Sequence, residues 1–215
     1  MIVFPFFRLY HGDTTWAAEP QSPISAQGRV ALTFNDGPDP AVTPKILEIL
    51  TQAGVTADFF VVGRQAAGNP DLILQMAKAG VSLQNHSYLH GDWSRMSQDQ
   101  MTREIRLTDD IIEEITGKRP DFFRPPRGIY SPEIFAAARD TSHVIVFWSN
   151  IMGDDRRVSE ITEFYERVEK VLYNGSILML HGDHAQVIDI LPGLIQLIRQ
   201  RGFDIVPLHE LYHVG

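Results

Sequence analysis

The 215-residue sequence is 44% apolar and 21% charged, a composition typical of a soluble globular protein with one sizeable core. Its formal net charge is −8, so no broad basic surface is available to bind nucleic acid or an anionic membrane. Cys is absent, which excludes disulfides and thiolate nucleophiles and leaves only His and carboxylate side chains as metal ligands.

Residues 1–28 are predicted to form an N-terminal arm. The opening segment MIVFPFF is apolar but short, lacks a basic region and is soon followed by polar residues, so it fits neither a signal peptide nor a membrane span. Residues 11–28 are rich in Gly, Pro, Ser, Thr and Gln without periodicity, which is typical of an extended segment. No other apolar run approaches the roughly 18 residues of a membrane-spanning helix.

Residues 29–215 are predicted to form one domain in which short apolar runs alternate with helical patterns. The seven candidate strands are RVALTF (29–34), ADFFVV (57–62), VSLQ (81–84), DFFR (121–124), HVIVFW (143–148), SILML (176–180) and FDIV (203–206). Alternating β and α units predict a parallel sheet, and seven of them favour a distorted (β/α)7-type barrel over two domains. A flat doubly wound sheet is the structural alternative.

Six helices are predicted between these strands, and four of them are indicated by end signals such as an N-cap residue (Thr43 in the first helix), an early Pro or a following Gly. They extend from Thr43-Pro44 to Gly54, from Asn69-Pro70 to Gly80, from a Ser97–Gln100 capping box to about Thr116, from Ser131-Pro132 onward, and over 159–173 and 186–200. Each helix would return the chain across the sheet, so that consecutive strands are parallel.

Five of the seven predicted strands end at polar or aromatic residues. These are Asn35-Asp36 after the first strand, His86 after the third, Arg124 at the end of the fourth, Trp148 and Asp154-Asp155 at and after the fifth, and His181 after the sixth. In parallel β/α folds, the loops that follow the strands carry the active site. We therefore expect the active site at the C-terminal rim of the barrel.

A metal site is predicted at this rim. His86 and His90 are four residues apart, so a helical turn would bring two imidazole nitrogens to one ion, although surface histidines also show this spacing. Asp36 lies in the turn N-D-G-P-D and supplies a third hard ligand, although Asp is also common in such turns for backbone reasons. Two imidazoles and one carboxylate leave positions open for water and substrate, as in catalytic sites.

Five segments group these residues into motifs. They are TFNDGPD (33–39), NHSYLH (85–90), FRPPRG (123–128), WSNIMGD (148–154) and LMLHG (178–182). In this order they resemble the five motifs of the polysaccharide deacetylases, the NodB-homology domain of carbohydrate esterase family 4, over about residues 29–208. The resemblance implies a hydrolase that uses zinc or a similar divalent ion to remove N-acetyl, less often O-acetyl, groups from chitin-type oligomers, peptidoglycan or xylan.

The resemblance assigns the metal and acid roles. Asp36, His86 and His90 become the ligands of the ion, which would activate water and polarise the acetyl carbonyl. His181 takes the place of the general acid that protonates the leaving amine, and Asp154 takes the place of the carboxylate that orients this histidine.

The remaining motif residues are implied to bind the substrate or to fix the base. Arg124 takes the place of the arginine that fixes the general base, and the backbone N–H of Arg127 would help to hold the oxyanion. Pro126 and Trp148 are implied substrate-binding residues. Their retention favours a sugar over a small amide or cyclic imide, which related barrels take as substrates.

The sequence departs from the family at Asn35, where an Asp normally serves as the general base. A carboxamide cannot accept the proton of water, so the chain is expected to be slow or inactive although its metal ligands are retained. One explanation is an introduced replacement of Asp by Asn, favoured because the other positions around the site are retained. A natural pseudoenzyme that binds metal and glycan is the second. The third is a base relocated to Asp39, Asp183 or His184.

A second departure is Arg127, where the family usually has Tyr. Its positive charge beside the cleft favours an anionic glycan such as peptidoglycan. The predicted function is therefore a metal-dependent deacetylase of an N-acetylated polysaccharide, and the alternative is a non-catalytic metal- and glycan-binding module. By the same resemblance the substrate lies outside the cytoplasm, so export or attachment to the cell envelope is implied.

Overall fold

The computed structural model describes residues 9–11, 14–16, 28–151, 161–170 and 172–212. Asp154 and Asp155 lie outside the described residues. The strands are β1 (Leu9–His11), β2 (Thr14–Trp16), β3 (Gly28–Asn35), β4 (Asp58–Val61), β5 (Ser82–Asn85), β6 (Phe122–Phe123), β7 (Val144–Ile145), β8 (Asn150–Ile151), β9 (Ile177–His181) and β10 (Phe203–Ile205). The helices are α1 (Thr43–Ala53), α2 (Gly63–Gly68), α3 (Pro70–Lys78), α4 (Gln98–Thr116), α5 (Pro132–Asp140), α6 (Ile161–Glu169), α7 (Gln186–Gln200) and α8 (Leu208–Leu211), with 3-10 turns at Trp93–Arg95 and Pro126–Gly128.

The strands form one sheet in the order β2-β1-β7-β6-β5-β4-β3-β9-β8, and β10 pairs with the first residues of β3. All neighbours from β7 to β8 in this order are parallel. β1 and β2 lie within the predicted N-terminal arm and pair antiparallel, and β1 joins β7 through Tyr10 and Ile145. Part of the arm therefore extends the sheet beyond the parallel strands.

The sheet curls into a half-barrel, which confirms the predicted fold class. The Arg124 side chain, directly after β6, lies 3.0 Å from the Thr33 hydroxyl and 2.7 Å from the Asn35 amide oxygen on β3. In a flat sheet β6 and β3 would lie three strand spacings apart, roughly 14 Å. The concave side therefore encloses side chains from strands that are not neighbours.

Two apolar layers hold this sheet. Inside the curl lies a barrel-interior cluster, which consists of Ala31, Phe60, Phe122, Val144, Val146, Ile177, Leu208, Leu211 and Tyr212. A larger cluster packs the convex face against helices and includes Phe34 and Phe59, Ile46 of α1, Ile73 of α3 and Leu191 of α7. Both layers leave the carboxyl ends of the strands free to carry polar residues.

Most helix signals are confirmed. Ser97 and Gln100 form the capping box of α4, Ser131 caps α5, and α7 has the predicted bounds. The prediction of Thr43 as the cap of α1 is wrong by one residue, because Val42 holds that position and the Thr43 hydroxyl accepts a hydrogen bond from the Asp39 amide instead. α6 is shorter than the predicted 159–173 within the described residues.

The predicted strand 143–148 is wrong in its extent. Only Val144 and Ile145 form β7, and the next strand, β8, begins at Asn150 and pairs with β9. Between them the carbonyl groups of Val146 and Phe147 accept hydrogen bonds from the Arg124 guanidinium. A buried side chain thus uses carbonyl groups just beyond β7. In the part of the chain that the structure describes, no helix has the length and apolar character needed to cross a bilayer.

Candidate metal centre

The predicted site residues in the described part of the chain gather at the C-terminal rim. Asp36 follows β3, His86 follows β5, Arg124 follows β6, and His181 is the last residue of β9. Asp36 has a φ of 63°, a left-handed conformation that turns the chain sharply at the end of β3. The arrangement places the side chain of Asp36 beside the loop that follows β5.

The loop 86–90 brings two histidines together without a helical turn, contrary to the predicted condition. Ser87 and His90 have φ values of 67° and 53°, which no right-handed helix contains. The Asn85 amide oxygen accepts a hydrogen bond from the Ser87 amide at 2.8 Å, and the Ser87 hydroxyl accepts one from the His90 amide at 3.1 Å. Side-chain hydrogen bonds to the backbone therefore replace helical ones in this loop.

The three predicted ligands form one cluster. Asp36 Oδ1 lies 3.7 Å from His86 Nε2 and 3.5 Å from His90 Nε2, and the candidate ligand atoms all lie within 4.8 Å of one another. His86 Nδ1 lies 2.6 Å from the carbonyl oxygen of Arg124. Since only an N–H can donate to that carbonyl, the proton belongs on Nδ1 and the lone pair of Nε2 points into the cluster.

The electrostatics of the cluster suit a cation. His86 Nε2 is buried and has no hydrogen-bond partner among the described residues. Burial, together with the nearby His90, holds the pKa of His86 well below its ordinary value, so this imidazole is neutral at neutral pH. Burial raises the pKa of Asp36, an effect that the nearby His90 partly opposes. Two lone pairs and a carboxylate withdrawn from water are a donor set that a divalent ion would satisfy.

Arg124 and Met179 hold the Asn35 side chain in place. Its amide oxygen accepts the 2.7 Å hydrogen bond from Arg124, and its amide nitrogen donates to the sulfur of Met179 at 3.3 Å. The guanidinium is fully buried, lies 4.0 Å from the centre of the Phe60 ring, and its pKa is lowered by burial to about 9. Among the described residues, the hydrogen bonds of this guanidinium all go to neutral oxygens.

The predicted substrate-binding residues form one wall of the rim. Arg127 is exposed with a φ of 58°, and Pro126, the first residue of the same 3-10 turn, is buried. Gly128 packs against the Trp148 ring so closely that an added Cβ would lie 2.7 Å from it. The Trp148 ring also lies 5.7 Å from the Arg124 guanidinium. The wall is thus a tight backbone turn on an aromatic ring, with a cationic side chain outside.

A second histidine pair lies at the carboxyl end of β9. The His181 and His184 rings stack at 4.8 Å, and His184 Nε2 lies 3.7 Å from Asp183 Oδ1. Asp183 Oδ1 and His184 Nδ1 are buried and lack hydrogen-bond partners among the described residues. In contrast, the Asp39 carboxylate accepts hydrogen bonds from the Ala41 and Val42 amides, so it is occupied in the turn before α1.

The sequence motifs do not reveal the residues that support the loop 86–90, which carries two of the predicted ligands. In the sequence Asn85 is visible only as part of a motif, and Asp109 of α4 belongs to no motif, although both are fully buried. The signal for Asp109 is visible in the sequence, because it interrupts the apolar stripe formed by Met101, Ile105 and Ile112 of α4. A carboxylate within the buried stripe of a helix needs a polar partner.

Comparison with known proteins gives consistent relatives. The profile of the family described as polysaccharide deacetylase matches residues 24–146. A peptidoglycan-N-acetylglucosamine deacetylase of Bacillus cereus is 33% identical over 193 residues, covering 88% of this chain and 70% of the relative. A chitooligosaccharide deacetylase of a Bradyrhizobium species is 30% identical over 204 residues, covering 88% of this chain and 93% of the relative.

Solved structures include a protein of particular interest for Asn35. The wild-type crystal structure of a CE4 family pseudoenzyme from Bacillus anthracis has a TM-score of 0.81 at 27% identity, with 86% of this chain and 66% of that chain covered. A mutant of the same protein, described as having restored enzymatic activity, has the same TM-score and identity.

Proposed function

Because the chain belongs to the polysaccharide deacetylase family, we propose that it binds an N-acetylated glycan at a metal-dependent deacetylase site that Asn35 leaves slow or inactive. The ion is proposed to be zinc, since two imidazoles and a carboxylate form a common catalytic zinc set. The observation that carries the proposal is the cluster of Asp36, His86 and His90, with the unpartnered His86 Nε2 aimed into it.

In the proposed hydrolysis, the ion and the groups of the protein would have separate roles. When bound, the ion would polarise the acetyl carbonyl and lower the pKa of a water molecule. The backbone N–H of Arg127 would donate to the developing oxyanion, and His181 would protonate the leaving amine as the C–N bond breaks. Asn35 is proposed to occupy the position of the general base, but a carboxamide cannot take up the proton of the water molecule.

Replacing Asn35 with Asp tests the missing base. With zinc present, we expect Asn35→Asp to release acetate from N-acetylglucosamine oligomers or peptidoglycan about 10²–10⁴ times faster than the wild type, which is the usual contribution of a positioned base. The pseudoenzyme whose mutant regained activity supports the idea that relatives in this family lose and recover turnover by substitution. Acetate release over time gives the rates.

A double variant is the matched control. Asn35→Asp combined with His90→Gln keeps the new carboxylate but removes a metal ligand, so it should return to the wild-type rate. Equal turnover by the wild type and Asn35→Asp would contradict the missing-base proposal and would favour a base at Asp183 or His184. Turnover by neither, with glycan bound to both, would favour the non-catalytic binding module.

The glycan is proposed to be of the peptidoglycan type. Arg127 places an exposed positive charge on the wall of the site, and peptidoglycan carries anionic groups that chitin lacks. Binding of muramyl-containing fragments should therefore exceed binding of chitin oligomers of equal length, and Arg127→Tyr should reduce that preference. Such a substrate implies that the chain acts outside the cytoplasm or in the cell envelope, as expected for relatives named peptidoglycan deacetylases.

A further inference from the structure

We infer that α4 sets the geometry of the loop 86–90 through two carboxylates, Asp109 and Glu104, which act as positioning residues for His86 and His90. The inference rests on the proposed metal site and assigns residues outside it a role in metal affinity. Neither carboxylate belongs to the ligand cluster, and both approach the loop from the same helix.

Asn85 links α4 to the loop. Its amide nitrogen donates to the carbonyl oxygen of Ile105 at 2.8 Å and to Asp109 Oδ1 at 2.7 Å. Its amide oxygen accepts from the Ser87 amide. Because both amide protons go to α4, the oxygen is left facing Ser87, whose left-handed φ turns the chain between the two histidines. The orientation of this one amide therefore fixes the first turn of the loop.

Asp109 fixes the orientation of that amide. Its side chain is fully buried, and Oδ2 lies 2.9 Å from the Arg119 guanidinium. Oδ1 receives the Asn85 hydrogen bond and lies 3.1 Å from His143 Nε2. Asn85 and Arg119 both donate to this carboxylate, which offers only acceptors, so Asn85 can present only its NH₂ group to α4. A buried charged acceptor held by two donors is a rigid anchor.

Glu104 holds the other end of the loop. Its carboxylate accepts a hydrogen bond from the Leu89 amide at 2.8 Å, one residue before His90. Asp109 and Glu104 lie five residues apart on α4, so one rigid helix contacts the loop before His86 and again before His90. Loops that carry ligands bind metal tightly only when such supporting contacts hold the ligands at the correct separation.

The test measures metal affinity in the full chain. We expect Asp109→Asn to weaken Zn²⁺ binding about 10–100-fold, the usual effect of removing a group that supports a metal ligand. The new amide would present an NH₂ group to Arg119 or Asn85, both of which donate to this side chain. Competition with a chromophoric chelator gives the dissociation constant, and the visible spectrum of the Co²⁺-loaded protein reports ligand geometry independently of activity.

Asp110→Asn is the matched control, because Asp110 is the next residue, lies 70% exposed and also approaches Arg119, at 3.7 Å. It should bind Zn²⁺ like the wild type. Glu104→Ala removes the second contact from a partly exposed position, so it tests the inference even where Asp109→Asn does not fold. Its control is Glu114→Ala on the exposed face of α4.

The outcomes separate the two proposals. Weaker Zn²⁺ binding and an altered Co²⁺ spectrum in Asp109→Asn or Glu104→Ala, with both controls unchanged, would support the inference. Wild-type affinity and spectrum in the folded variants would overturn it and leave the proposed function intact. A wild-type chain that binds no Zn²⁺ would contradict the proposed function itself.

Discussion

Arg124 places a positive charge inside the half-barrel, where its hydrogen-bond partners among the described residues are all neutral. Such a charge is costly to bury without a nearby anion. Asp58, the first residue of β4, is a fully buried carboxylate whose charge raises the pKa of Arg124 from the closed end of the barrel. Its Oδ2 accepts a hydrogen bond from the Leu208 amide, whereas its Oδ1 has no partner among the described residues. Asp58 is thus a partly satisfied counter-charge.

The pH dependence of stability tests this role. Burial raises the pKa of Asp58 from 3.8 to about 6, although the Leu208 hydrogen bond opposes the shift. A raised pKa means that the folded protein holds the proton more tightly than the unfolded chain, so this stabilisation is fully present below the unfolded pKa and is lost as pH rises through 6. Relative to Asp58→Asn, the wild type should therefore lose roughly 2 kcal/mol between about pH 4.5 and pH 7.5.

Urea unfolding of the metal-free proteins at both pH values measures the difference. Asp204→Asn provides the control, because Asp204 is an exposed carboxylate on β10 and should follow the wild type at both pH values. A constant free-energy gap between the wild type and Asp58→Asn across this range would show that Asp58 is already ionised at pH 4.5 in the folded protein.

At the scale of elements, the sequence predicts what depends on local pattern. The apolar run of β3, the capping box of α4 and the bounds of α7 follow from hydrophobic periodicity and end signals, and the structure has them. The rim position of Asp36 and His86 follows from the rule that parallel strands end on one side. These features need no knowledge of distant residues.

Features that depend on tertiary contacts could not be predicted in this way. The predicted strand 143–148 ends early because the carbonyl groups of Val146 and Phe147 bind Arg124, which is more than twenty residues away. The loop 86–90 is not helical because Asn85, anchored to α4, holds Ser87 in a left-handed conformation. In both cases a side chain from another element outweighs the local preference of the backbone.

Helices α2 and α4 approach each other closely beside the loop 86–90. A Cβ added at Gly63 would lie 2.5 Å from the Thr108 hydroxyl oxygen and 2.9 Å from the Tyr88 ring. Gly63→Ala should therefore push α2 away from α4 and destabilise the fold by about 1–3 kcal/mol. It should also weaken Zn²⁺ binding, because the Gly63 amide donates to the Ser87 carbonyl between the two histidines.

Gly68→Ala on the same helix is the control, since an added Cβ there meets nothing within 4 Å. It should leave Zn²⁺ affinity unchanged and the thermal midpoint equal or slightly higher. Chelator competition gives the Zn²⁺ affinity, and thermal melts give the midpoint. Equal effects of the two substitutions would mean that helix propensity, rather than the contact with Thr108 and Tyr88, determines the result.

The whole molecule divides into a closed apolar end and a polar rim. The barrel-interior cluster includes Leu208, Leu211 and Tyr212 from the last described segment, which cover the closed end. At the rim, Asp36, Ser87 and His90 have left-handed backbone conformations, and the buried His86 Nε2 has no hydrogen-bond partner among the described residues. Apolar packing thus stabilises one end, whereas the other end has polar atoms that a bound ion would satisfy.

Metal binding should therefore stabilise the entire fold. A ligand that binds only the folded state adds about 2.7 kcal/mol when its free concentration is 100 times the dissociation constant. For a domain of this size that increment corresponds to a rise of roughly 5–10 °C in the thermal midpoint. The rise should appear with Zn²⁺, disappear with a chelator, and shrink as the pH falls, because protons compete with the ion for its ligands. His90→Ala removes one ligand from a partly exposed position and should melt like the metal-free wild type whether or not Zn²⁺ is present. A rise of the same size in His90→Ala would place the stabilising ion elsewhere on the molecule, because the rim cluster cannot hold the ion equally well with two ligands as with three.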